Sequence, residues 1–95
     1  MHYVLARINV KPEAADTARG ILTELVTHSR KEVGCVSYEL YQQADHPHVF
    51  QTVEQWKDKA AADAHMTMPH VGAAIAAAGA LFAAPPEILA YTKLM

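Results

Sequence analysis

The chain has 95 residues, enough for one domain, and residues 1–95 read as a single unit. A chain this short buries a limited share of its surface, and with 52% hydrophobic residues it calls for a third layer or a second subunit to cover them. A net charge of −2 and the absence of any basic run argue against nucleic acid or an acidic membrane as partner.

The single cysteine, Cys35, excludes an internal disulfide and fits a reducing compartment. Met1 to Arg7 lacks a basic segment followed by an apolar run, so no signal peptide is expected there. The alanine-rich stretch from Val71 to Ala84 is too short to span a bilayer and is punctuated by Gly79. A soluble, cytoplasmic protein is the expectation.

Tyr3 to Val10 alternates with period two. Val4, Ala6, Ile8 and Val10 fall on one face and Tyr3, Leu5, Arg7 and Asn9 on the other, which predicts a strand. Pro12 suits the first position of a helix, and Glu13 and Asp16 suit its positive end. Ala18, Ile21, Leu22, Leu25 and Ser29 continue at helical spacing. Gly34 is expected as a helix stop or a loop glycine. Cys35 to Gln42 alternates again, with Val36, Tyr38 and Leu40 on one face. After the polar loop at Asp45 to Pro47, His48 to Trp56 places Phe50, Thr52, Glu54 and Trp56 together. The short loop makes these two strands an antiparallel hairpin.

Lys57 to His65 is rich in alanine and predicts a second helix with Asp58 in its first turn. Pro69 opens a further helical segment to about Gly79. Glu87 to Leu94 alternates as a fourth strand. The order β-α-β-β-α-β predicts an α+β, ferredoxin-like fold: a four-stranded antiparallel sheet with helices on one face. The opposite face would carry Tyr3, Leu5, Val49, Val53, Leu89 and Tyr91, which is too apolar to leave in water. A homodimer built sheet against sheet follows as an expectation.

The six histidines raise the question of a metal. His46 and His48 are two apart across a proline, and His65 and His70 are separated by a helix break. Neither pair has helical or zinc-finger spacing, and no paired carboxylate is evident to complete a facial triad, so no metal is expected. No nucleotide, flavin or phosphate fingerprint is present. Cys35 has no basic neighbour in sequence to activate it and reads as a small buried residue. Trp56, Tyr38 and Phe50 share the helix-facing side of the hairpin. They suggest the wall of an aromatic pocket, against the plainer reading of ordinary core residues. His65, at the end of a helix, reads as a capping histidine or as a group that moves a proton near neutral pH. His70 has the same two readings, or lies at the surface.

Gly34-Cys35-Val36-Ser37-Tyr38-Glu39-Leu40, then Pro47, Phe50, Glu54-Gln55-Trp56, Asp58, Ala61, His65, Thr67 and His70, resemble the antibiotic biosynthesis monooxygenase domain family. The family includes quinol monooxygenases and other small oxygenases that use no cofactor. The resemblance covers nearly the whole chain. It implies subunits that pair through their sheets into a dimeric α+β barrel, each with a cavity between sheet and helices. It also implies O2-dependent oxidation of a small hydroxyaromatic, quinol-like or anthrone-like, with no metal or flavin. On that resemblance the catalytic residues would be His65, as acid/base, and Trp56, as pocket wall and hydrogen-bond donor. Tyr38, Phe50 and His70 would bind substrate.

Three departures bear on the choice of branch. Ala62 stands where many members carry a larger aliphatic residue. Haem-degrading relatives use an asparagine on the helix-facing side of the first strand; Ala6 is there instead, and Asn9 points the other way. A branch that isomerises small phosphorylated carbonyl compounds would favour a positive pocket, and Arg7 faces the expected dimer interface. That isomerase is the second reading, and a non-catalytic small-ligand-binding dimer is the third.

Overall fold

The computed structural model describes residues 1–95. The strands are β1 (His2–Asn9), β2 (Cys35–Gln42), β3 (Val49–Trp56) and β4 (Glu87–Tyr91). The helices are α1 (Ala15–Ser29), α2 (Lys59–His65) and α3 (Pro69–Ala78). All neighbouring strands are antiparallel, in the order β2-β3-β1-β4. This is the ferredoxin-like α+β sheet expected from the alternating segments, with the second helical stretch split in two at Met66 to Met68. No helix is long and apolar enough to cross a membrane.

Local chemistry explains most boundaries. Pro12 opens a short 3-10 turn, Pro12–Ala14, and the α-helix proper starts at Ala15. Asp58 is the N-cap of α2 rather than part of its first turn: its Oδ1 accepts from the Ala61 amide at 2.8 Å. Gly34 is not a helix stop. α1 ends five residues earlier, and no residue of the chain has a positive φ outside glycine, nor any glycine. Gly34 is required by proximity, because a Cβ there would lie 2.4 Å from the Ala61 Cβ. The Lys57 amide donates to the Gly34 carbonyl at 2.9 Å, so the loop before β2 lies directly against the start of α2.

The expected faces hold on β1 and β3. Ala6, Ile8 and Val10 are buried, as are Phe50, Thr52, Glu54 and Trp56. Two assignments change. Cys35 pairs with Trp56 and Ser37 with Gln55, so Val36 is the extra residue of a β-bulge. The bulge turns Cys35 toward the helices, where it packs against the Trp56 cluster, and leaves Val36 exposed, not on the face of Tyr38. Val49, assigned to the open face, is buried within the subunit.

The core has two parts. Ile8, Val10, Ala18, Leu22 and Phe50 pack beneath the middle of α1. Val26, Tyr38, Trp56 and Ala62 pack between the end of α1 and α2. β4 is exposed along its whole length. A bridge between Val10 and Phe82, with the Ala83 amide donating to the Asn9 carbonyl at 2.8 Å, anchors the segment leading into β4.

Candidate active site

The two core clusters do not fill the space between sheet and helices. A cavity of about 270 Å³ lies there, and twelve of its sixteen lining residues are hydrophobic. Leu22 from α1, Val71 and Ile75 from α3, and Ile8 and Ile88 from the sheet form much of the wall. Four polar side chains interrupt it: Tyr38, Thr52, Glu54 and His65. An apolar chamber with a few convergent polar groups suits a small, flat, mostly apolar ligand that carries hydroxyl or carbonyl groups.

Glu54 is a carboxylate only 4% exposed. Its position follows from the alternation of β3, which turns every second residue toward the helices. Both of its oxygens are met by donors: Thr52 Oγ1 donates to Oε2 at 2.7 Å and Trp56 Nε1 to Oε1 at 3.1 Å. Thr52 Oγ1 in turn accepts the Ala6 amide at 3.1 Å. Such a chain keeps a buried carboxylate hydrogen-bonded on both oxygens. Burial holds the Tyr38 phenol far above its ordinary pKa, and the neighbouring Glu54 charge adds to the effect. Tyr38 therefore stays neutral throughout the physiological range, and its one O–H, shared with Glu54, is the donor it has to offer a ligand.

His65, the last residue of α2, is 4% exposed and lies between Trp56 and Tyr38, with ring centroids 4.6 Å and 5.7 Å away. Its Nδ1 is 2.6 Å from Glu32 Oε2. His70, in the first turn of α3, places Nε2 2.7 Å from that same oxygen. Glu32 belongs to the loop between α1 and β2, so one carboxylate oxygen ties together that loop, α2 and α3. No sequence spacing offered a carboxylate to complete a triad with the two histidines; the fold supplies Glu32 from more than thirty residues away.

Two histidines and a carboxylate are also a metal-binding donor set, and the donor atoms lie within 4.8 Å of one another. The spacing, however, is that of charge-assisted hydrogen bonds. Ligands held at zinc-type bond lengths in a tetrahedral shell stand about 3.3 Å apart, well beyond these nitrogen–oxygen separations. Burial raises the Cys35 thiol pKa and the charges of Glu32 and Glu54 raise it further, against a smaller lowering by Arg30, which disfavours the thiolate.

Of the five residues singled out in the sequence, His65 and Tyr38 line the cavity. Trp56 does not. It is completely buried beside Glu54 and His65, and its one N–H is taken by Glu54. Phe50 is 1% exposed in the core beneath α1 and also lies outside the lining. His70 lies on the outer side of the cluster, stacked on His28 with centroids 5.8 Å apart, in a groove between α1 and α3. Glu32, Glu54 and Thr52 were not singled out. Glu54 had a visible signal, a charge on the buried face of a strand, whereas Glu32 lies in a loop with no periodicity.

The chain resembles known proteins along most of its length. The sequence model described as "Antibiotic biosynthesis monooxygenase" matches residues 1–77. The Bacillus subtilis (strain 168) protein named "Putative monooxygenase YcnE" is 33% identical over 84 residues, 88% of each chain. A crystal structure described as an antibiotic biosynthesis monooxygenase superposes with a TM-score of 0.94 at 28% identity, covering 100% of both chains. Rv0793 from Mycobacterium tuberculosis superposes with a TM-score of 0.91 at 31% identity, covering 99% of this chain and 95% of that one. The chain belongs to the antibiotic biosynthesis monooxygenase family.

Proposed function

We propose that this protein is a monooxygenase that oxidises a small hydroxyaromatic with O2, without metal or flavin, inside the cavity between sheet and helices. The observation that carries the reading is the apolar chamber into which Tyr38, Glu54 and His65 converge. A cavity of about 150 Å³ is enough for a benzene ring, so one of about 270 Å³ suits a one- or two-ring quinol better than a tricyclic anthrone.

His65 takes the phenolic proton, and Tyr38, held neutral by burial, donates to the oxyanion. The electron-rich anion passes one electron to O2, and the radical pair combines to a peroxide at the ring carbon. Loss of water leaves a carbonyl there. One oxygen atom ends on the ring, the other leaves as water, and all four electrons come from the substrate. The protein's contribution is to exclude water, orient the ring and stabilise the anion. The cavity lining includes no lysine or arginine, so nothing in it favours a phosphorylated substrate or the isomerase reading.

The active form is a homodimer joined through the open sheet face. Register places Leu5, Val53 and Leu89 in one row and Tyr3 and Tyr91 in the next, with Val53, Leu89 and Tyr91 each more than a third exposed. Burying that face supplies the apolar area a 95-residue chain lacks on its own.

Oxygen uptake by metal-stripped protein across a panel of hydroquinones tests the activity. Uptake well above uncatalysed autoxidation is expected, lowered about a hundredfold by His65→Ala. Rates equal to autoxidation across the panel would rule the reading out.

A further inference from the structure

We infer that Glu32 is the positioning residue for His65 and that His70, by sharing the same carboxylate oxygen, links the basicity of the site to the external pH. The inference deepens the proposed role of His65 as proton acceptor and rests on it for its catalytic meaning.

The argument starts from donors and acceptors. An ionised carboxylate only accepts hydrogen bonds. With Glu32 ionised, both nitrogens facing its Oε2, Nδ1 of His65 at 2.6 Å and Nε2 of His70 at 2.7 Å, carry hydrogens. Neutral His65 is then the Nδ1–H tautomer, and its one lone pair sits on Nε2, on a residue that lines the cavity. This is the arrangement by which a buried carboxylate orients a histidine base without itself receiving the proton. As the substrate O–H breaks, the N–H bond forms at Nε2, and the negative charge stays on the substrate oxygen. The imidazolium so created stays against Glu32, whose side chain is 8% exposed, where water screens the attraction poorly.

His70 makes the device adjustable. Its side chain is 19% exposed and stacks on the half-exposed His28 of α1, whereas the His65 side chain is 5% exposed. Protonation of His70 draws on the same carboxylate charge that favours proton uptake by His65. The other titratable groups facing His65 are Tyr38 from β2 and Glu54 from β3, and Cys35 lies close enough to Glu32 to feel its charge. None of these bridges Glu32 to solvent as His70 does.

Two measurements on the whole 95-residue chain test this. Imidazole 15N NMR of the free protein reads the tautomer and titration midpoint of His65 without any assay. The pH profile of kcat in the oxygen-uptake assay reads the same group during turnover. His65 is expected with hydrogen on Nδ1 and a lone pair on Nε2. Glu32→Gln removes the negative charge, so the His65 midpoint and the acid limb of kcat move to lower pH. kcat falls about tenfold or more in that variant, with KM little changed. His70→Gln removes the competing positive charge and moves both to higher pH. Opposite displacements cannot come from a purely structural tie.

An Nε2–H tautomer of His65, or unmoved midpoints in two folded variants, would overturn the inference. If Glu32→Gln does not fold, the wild-type tautomer and the His70→Gln displacement decide it. Absent oxygen uptake alongside the expected tautomer and displacements would sink the proposed reaction and leave this assignment standing.

Discussion

At the scale of single residues, the site depends on polar groups that the fold has desolvated. Glu54 sits inside an apolar wall with both carboxylate oxygens accepting, from Thr52 and from Trp56, which makes Trp56 a support for the carboxylate. Trp56→Phe keeps much of the packing but leaves Glu54 Oε1 without that donor. A loss of about 1–3 kcal/mol in urea unfolding is expected, together with weaker turnover. The pKa shifts of Tyr38 and Cys35 carry a sign that can be checked. Both are acids whose folded values lie above their ordinary values of 10.0 and 9.0. The folded state therefore holds those protons more tightly, and its stability is unaffected by them at low pH. Stability falls as pH rises beyond 9.0 for the thiol and beyond 10.0 for the phenol. Denaturant midpoints measured across this alkaline range should drop less steeply in Tyr38→Phe. An identical alkaline slope would mean that Tyr38 is not desolvated.

At the scale of elements, the short helix α2 and the loop before β2 set the position of His65. Seven residues are too few for an independently stable helix, so α2 depends on its cap and its packing. Asp58→Ala removes the side-chain acceptor for the Ala61 amide and should cost about 1 kcal/mol by thermal or urea unfolding. Gly34→Ala should cost about 1–3 kcal/mol, because its methyl would meet the Ala61 Cβ and push the loop away from α2. The same displacement would lengthen the Glu32–His65 contact, so this variant should lose more activity than stability alone explains, read as kcat at a temperature where it is fully folded. The bulge at Val36 works in the same region: it turns Cys35 inward beside Trp56 and sets the phase that brings Tyr38 into the cavity.

At the scale of the whole molecule, the sheet has one face under the helices and one open. If the open face is a dimer interface, Leu89→Lys places a charge at the β4 end of its apolar row. Sedimentation or light scattering should then shift from a dimer mass toward a monomer, with a lower melting temperature. A wild-type monomer at micromolar concentration would contradict the dimer. Strand and helix order were legible before any coordinates because they follow from local periodicity: period two in four segments, helical spacing between them, and prolines at two helix starts. The burial of Phe50, Thr52, Glu54 and Trp56 on one side of β3 was legible for the same reason. Short-range pattern could not reveal the bulge at Val36, since one inserted residue changes the facing of a strand without changing its composition. It could not reveal that Trp56 lies outside the cavity lining, because depth depends on what packs over the strand end. Least of all could it reveal Glu32. That residue sits in an irregular loop, and its meeting with His65 and His70 is set by the docking of α2 and α3 against the end of α1, a long-range contact on which no spacing in the chain reports.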